Sequence, residues 1–122
     1  MEQSNTCGRE ALSTKDSYYV YVIKAQDGLI KIGYTGDPEQ RIKSLQTGSP
    51  FLLSYYKLVE TDSKKSAMQI EKHLLDKFRV YSKSQEGEWF ESDDIAISTN
   101  LFHGKRFAEL RSIPYSIVAT TP

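Results

Sequence analysis

Tyr18-Tyr19-Val20-Tyr21-Val22-Ile23-Lys24, followed after a short break by Leu29-Ile30-Lys31-Ile32-Gly33-Tyr34-Thr35, is the stretch whose reading decides the fold. Both runs are rich in aromatic and β-branched residues, as strands are. Between them sits Gln26-Asp27-Gly28. A three-residue hairpin loop ending in a left-handed residue suits Gly28, because glycine enters that region without steric penalty. This loop predicts Tyr21 opposite Gly33 and Ile23 opposite Lys31. Tyr19, Tyr21, Ile23, Leu29, Lys31, Gly33 and Thr35 then share one face. Val20, Val22, Ile30 and Ile32 share the other, the expected core face. A two-residue Asp27-Gly28 turn would instead set Lys24 against Lys31 and send Tyr21 and Lys31 to opposite faces.

Working outward, Asp37-Pro38-Glu39-Gln40 reads as a helix start. Asp37 is the N-cap, Pro38 suits the first helical position, and Gln40 can complete a capping box. Pro38, Ile42 and Leu45 form the apolar stripe, and Gly48 ends the helix. Leu52–Glu60 reads as a third strand. Ser63 or Asp62 caps a second helix that runs to about Val80. Gly87-Glu88-Trp89-Phe90-Glu91 reads as a turn and a short extended segment, with Trp89 and Phe90 closing the core. The expected fold is α/β of the α+β kind: a small, three-stranded, mainly antiparallel sheet with flanking helices. Residues 1–16 read as a flexible tail, 17–94 as the patterned domain, and 95–122 as a C-terminal extension. In that extension His103–Ser112 could form a short helix burying Phe107 and Leu110, with Pro114 after its end.

At 122 residues, 39% of them hydrophobic and 26% charged, the chain suits one soluble globular domain with one modest core. No apolar run approaches the ~20 residues of a membrane span. The polar N-terminus lacks the apolar region of a signal peptide, so the expected location is the cytoplasm, with no membrane partner. Cys7 is the single cysteine, which rules out an internal disulfide or a cysteine-based zinc site. A net charge of zero argues against a sequence-independent nucleic-acid glue. The charge is unevenly spread, however. Residues 24–83 carry eleven Lys/Arg against seven Asp/Glu, whereas residues 86–94 carry five acids and no base. The middle of the chain could face a polyanion, and the 86–94 stretch could not do so easily.

Glu71 is the sharpest anomaly. Ala67, Ile70, Leu74 and Phe78 recur at helical spacing, and at ~100° per residue Glu71 falls within that stripe. A carboxylate facing a core is costly unless it is paired or binds a metal. An ion pair, for example with Arg41, or a stripe edge left wet is the plain structural alternative. Tyr21 lies mid-strand across from Gly33, which leaves room for its ring or for a substrate backbone. Lys31 shares that face, and Arg41 flanks the stripe of the first helix. A phenol, an amine, a guanidinium and a carboxylate on one surface are what phosphodiester hydrolysis needs. Taken singly, Tyr21, Lys31 and Arg41 each have an ordinary structural reading. His73 falls on the solvated side of its helix, and His103 has no partner at metal-ligand spacing. Tyr55 and Tyr56 read as strand residues, although one could stack on a base.

These segments, in this order, resemble the GIY-YIG nuclease superfamily, most closely its compact branch in phages, bacteria and fungi. The resemblance covers residues 18–94. It rests on Tyr19-Val20-Tyr21-Val22-Ile23, Lys31-Ile32-Gly33-Tyr34-Thr35, Pro38-Glu39-Gln40-Arg41-Ile42, Leu45 through Pro50, Ile70-Glu71-Lys72-His73-Leu74 through Phe78, and Gly87-Glu88-Trp89-Phe90. It implies a divalent-metal-dependent endonuclease acting on nucleic acid, with DNA the expected target. Tyr21 would activate the attacking water or relay its proton. Lys31, at the second tyrosine position, would tune Tyr21 or act as base. Arg41 would grip the scissile phosphate. Glu71 would hold Mg²⁺ or Mn²⁺ and so support the leaving oxygen. Gly33 and Tyr19 would serve the structural motif. Leu75 stands where this branch often has histidine, and no late asparagine matches. Two alternatives remain: a nucleic-acid-binding module without turnover, and an interaction protein using the acidic 86–94 stretch and the C-terminal segment. A domain this small is expected to have weak sequence preference or to dimerise.

Overall fold

The structure, a computed structural model, describes residues 17–81, 84–86 and 89–118. Its elements are β1 (Tyr18–Ala25), β2 (Leu29–Thr35), α1 (Pro38–Thr47), β3 (Leu53–Thr61), α2 (Lys64–Tyr81), β4 (Ser84–Glu86), β5 (Trp89–Glu91), α3 (Asp94–Leu110) and β6 (Ser116–Val118). Residues 1–16, expected as a tail, lie outside the described residues.

The β1–β2 hairpin forms in the expected register, with Tyr21 facing Gly33 and Ile23 facing Lys31. The loop is the three residues between Ala25 and Leu29. Gly28 adopts φ 96°, and its N–H closes the turn on the Ala25 carbonyl at 2.8 Å. β3 lies antiparallel on the other side of β1, with a bulge after Val22. The α+β class is as expected, but the strand number is not. The described residues form a six-stranded antiparallel sheet in the order β4-β5-β2-β1-β3-β6, rather than three strands. The three added strands are three residues each, too short to display a period.

One face of the sheet carries Val20, Val22, Ile30, Ile32 and Val59. Against it α2 packs Ala67, Ile70, Leu74, Leu75 and Phe78. Ser63 caps α2, its hydroxyl accepting from the Ser66 N–H at 3.1 Å. Phe90 is buried as expected, paired to Ile30 and 6.2 Å from the Phe78 ring. The opposite face is buried too, a departure from the simple alternation. Tyr21, Ile23, Ala25, Leu53 and Leu58 form a second cluster, covered by Ile42 and Leu45 of α1. The sheet is thus a middle layer, with α1 on one side and α2 and α3 on the other.

The C-terminal segment holds a longer helix than the short His103–Ser112 one expected. α3 starts at Asp94, with the Asp93 carboxylate accepting from the Ala96 N–H at 2.7 Å. Asp93 and Asp94 of the acidic run therefore sit at a helix N-terminus, where negative charge is favourable. Ser98, Thr99, Asn100 and Gly104 are poor helix formers and hide the pattern. Gly104 serves packing, because a Cβ there would come within 2.9 Å of Leu74 Cδ2. Ile97, Leu101 and Ala108 join the main core, and Phe107 packs against it. Leu110, expected to be buried, is 79% exposed.

His73 also differs from expectation. It is half-buried rather than solvated, stacked on Phe107 at 4.3 Å, and its Nε2 is buried with no hydrogen-bond partner among the described residues. Burial lowers its pKa from the ordinary histidine value. Lys77, Arg111 and His103 lower it further, and Asp76 opposes them. The folded state therefore favours neutral imidazole. Stability should be full above the unfolded value of ~6.5 and should fall as pH drops from there toward the lowered folded value. Thermal unfolding followed from pH 8 to pH 5 checks this: His73→Gln should flatten that part of the profile.

Candidate functional site

The hairpin register decides which groups meet. Pairing Tyr21 with Gly33 lays the phenol ring across a position with no side chain. A Cβ on Gly33 would collide with the Tyr21 hydroxyl and Cζ. Tyr21 is only 1% exposed, so its hydroxyl needs a polar partner within the protein. Arg41 of α1 provides one: its Nε–H donates to the Tyr21 hydroxyl at 3.1 Å. Arg41 itself is half-buried.

α1 reaches this position through hydrogen bonds at both ends. The Asp37 carboxylate accepts from the Gln40 N–H at 3.1 Å, the expected N-cap. The Asp37 N–H donates to Thr35 Oγ1 at 3.0 Å, so Thr35 supplies the bond that a capping box would have drawn from Gln40. The Tyr55 hydroxyl donates to the Pro38 carbonyl at 2.5 Å. At the far end the Gln46 amide donates to the Phe51 carbonyl (2.9 Å) and accepts from the Leu53 N–H (2.8 Å), tying α1 to the start of β3. Gly48 closes the helix at φ −97°, without a left-handed cap.

Tyr55 is the neighbour that the sequence reading left among ordinary strand residues. Its ring meets Tyr21 edge-to-face at 5.8 Å. Burial and the adjacent Tyr21 push its pKa well above the ordinary phenol range, with Arg41 opposing and Asp37 adding to the rise. Tyr55 is thus a positioning residue that stays protonated. The β1–β3 pairing of Ile23 with Tyr55 would have placed it, had the bulge been foreseen.

Lys31 lies two residues from Gly33 on the same face, as the register predicts. It is half-buried, its Nζ 5.8 Å from the centre of the Trp89 ring. Tyr19, also on this face, packs against the second cluster. Its phenol pKa is raised by burial and then by Glu60. Glu71 is half-buried on α2, the helix that covers the opposite face of the sheet. Tyr21, Lys31 and Arg41 therefore share one layer, and Glu71 comes from the other. β5 pairs with β2 only over Leu29–Lys31, so among the described residues the β2 edge beside Gly33 carries no neighbouring strand. Asn100, the late asparagine of this chain, is buried between helices and donates to the Leu74 carbonyl at 3.1 Å. His103 is exposed on α3. Among the described residues no three His, Cys, Asp or Glu gather as a metal cluster. No helix there is long and apolar enough to cross a membrane.

Residues 18–112 match the family model of the T5orf172 domain, a phage-associated domain of nuclease-related type. No significant match exists among curated proteins or solved structures. The matched span includes α3, which places that helix within the family's unit.

The fit of Tyr21 over Gly33 can be measured. Gly33→Ala should cost about 1–3 kcal/mol through overpacking, read by denaturant unfolding. Tyr21→Phe removes one of the colliding atoms, so the double variant should lose less than the sum of the two singles. Strictly additive losses would show that the ring does not rest on this glycine.

Proposed function

Because the chain belongs to the T5orf172 domain family, we infer that it is a nuclease of GIY-YIG type, hydrolysing DNA phosphodiester bonds with a divalent cation. The observation that carries this reading is the Arg41–Tyr21 hydrogen bond over Gly33, which joins a guanidinium to a phenol beside a strand edge that has no neighbour among the described residues. In this reading Arg41 binds the scissile phosphate and offsets the charge that builds on it during attack. Tyr21, held by the Arg41 Nε–H, orients the attacking water, whose proton leaves to solvent as the bond to phosphorus forms. Lys31, one step along β2, adds positive charge beside the phosphate path.

Glu71 is the carboxylate proposed to hold the cation. A single carboxylate donor suits an ion that keeps most of its water. Mg²⁺ behaves in this way, and Mn²⁺ is a substitute. Bound there, the cation would supply charge stabilisation at the leaving oxygen.

A second reading, nucleic-acid binding without turnover, draws on a specific observation. Tyr21 is 1% exposed, and the neighbouring tyrosine position of the family resemblance is Lys31.

Nicking of supercoiled plasmid in Mg²⁺ or Mn²⁺ separates the two. The nuclease reading expects cleavage that Glu71→Ala abolishes while DNA binding stays intact, and that Arg41→Ala lowers by at least the ~10² typical of losing an oxyanion donor. Absence of cleavage with either metal, on plasmid and on branched DNA, together with Arg41-dependent binding, would leave the binding module.

A further inference from the structure

Beyond Lys31, the face that carries Tyr21 opens into a groove. It lies between the hairpin, the end of α1 and the Pro50–Phe51 turn, and encloses about 780 Å³. Leu29, Lys31, Leu45, Pro50, Phe51 and Trp89 line it. The volume is that of a small-ligand site. Its chemistry is uneven: two aromatic rings and one ammonium group stand along it, and the Asp27 carboxylate lines its hairpin end. Phe51 is 41% exposed, large for a phenylalanine, and the Trp89 ring is half-buried on the rim.

The groove continues the Tyr21–Arg41 site. On β2 the positions Gly33, Lys31 and Leu29 follow one another along one face, ~6.8 Å per step. On α1, Ser44 and Leu45 lie one turn beyond Arg41 and also line the groove. A strand whose phosphate sat at Arg41 and ran along β2 would bring its next phosphate toward Lys31 and its base toward Trp89 and Phe51. Lys31 Nζ stands 5.8 Å from the Trp89 centroid, near the outer limit of a cation–π contact, so its flexible stem can yield the ring face to a base.

We propose that this groove is a stacking subsite for an unpaired nucleotide flanking the phosphate at Arg41, which directs the domain to single-stranded tails, flaps or frayed ends rather than intact duplex. The proposal rests on the reading of Arg41 as a phosphate site and adds the substrate form. A base inside a duplex already stacks on its neighbours and offers no free π-face, whereas every unpaired base offers one. The selection is by strand form rather than by sequence, because stacking tolerates all bases.

Trp89 is the only tryptophan in the chain, so its fluorescence reports this site alone. The full chain is titrated without divalent cation, to prevent cleavage, with short oligodeoxyuridylate, oligouridylate and a blunt DNA duplex. Fluorescence anisotropy of end-labelled strands follows binding in parallel. Saturable quenching of Trp89 by a single strand, several-fold greater than by duplex, is expected. The stronger of the two single strands identifies the preferred sugar. Phe51→Ala, at a partly exposed position, should weaken single-strand binding roughly 5- to 100-fold, and Trp89→Phe, which keeps a ring, only a few-fold. Binding that leaves Trp89 emission unchanged, that Phe51→Ala does not weaken, or that quenches equally with duplex would overturn the subsite. If Arg41→Ala still lowered binding in that case, the phosphate site would stand without it. No binding of any strand would overturn both.

Discussion

The packing of the Tyr21 ring on Gly33 is the constraint from which the rest of this site follows. β1 is a central strand, flanked by β2 and β3, and both of its faces are buried. A phenol in such a strand must find room for its ring and a partner for its hydroxyl. Gly33 supplies the room, and Arg41 supplies the partner. The pairing depends in turn on a loop of three residues closed by Gly28 at positive φ. One residue more or fewer would end the pairing of Tyr21 with Gly33 and set the ring against a residue that carries a side chain. Loop length in the hairpin thus sets whether the ring has its room.

The two sides of the sheet divide the work. α2 and α3 bury aliphatic residues continuously, and that side supplies most of the core. α1 is a ten-residue helix with no fully buried residue of its own. A helix so short is marginal in isolation. It is held instead by directed bonds: the Asp37 cap, Thr35 on the Asp37 N–H, Tyr55 on the Pro38 carbonyl, and Gln46 across to β3. Directed bonds orient a helix more narrowly than a greasy contact does, and orientation is what Arg41 requires. The layer with the fewest apolar contacts is also the layer that carries the candidate chemistry, in keeping with the weaker local stability of functional elements.

How much of this was legible in the sequence can be argued residue by residue. The hairpin register was, because Gly28 suits the left-handed end of a three-residue loop and that loop, unlike the two-residue rival, keeps Tyr21 and Lys31 on one face. The helix starts were, because Asp37-Pro38 and Ser63 are local signals that act within a single turn. The second buried face was not. Tyr21 and Ile23 read only as lying on the face away from the aliphatic core, and their cover comes from Ile42, Leu45 and Tyr55, distant in sequence. α3 was legible only in part, since Gly104 and Ser98-Thr99-Asn100 lower helix propensity at positions where packing decides. For Glu71, helical spacing gave its angle around α2 but could not say which side of the sheet α2 would cover. That assignment needs the chain's path over the sheet, which no local pattern encodes.

Charge then bounds what the site can hold. The net charge is zero, so no general field draws a polyanion to this protein. Attraction must come from a short cationic path, Arg41 then Lys31. At the hairpin end the path meets opposition: Asp27, Glu91 and Asp93 line a second hollow of about 480 Å³ beside Leu29. A phosphate backbone following the proposed path past Lys31 would run toward three carboxylates. It must turn outward there, after one or two nucleotides. Within a Debye length of ~8 Å at physiological salt, such repulsion acts on the next phosphate and is lost beyond it. The proposed substrate contact is therefore short by construction. A short contact gives little sequence discrimination, and what selectivity it has must come from the form of the strand presented to Arg41.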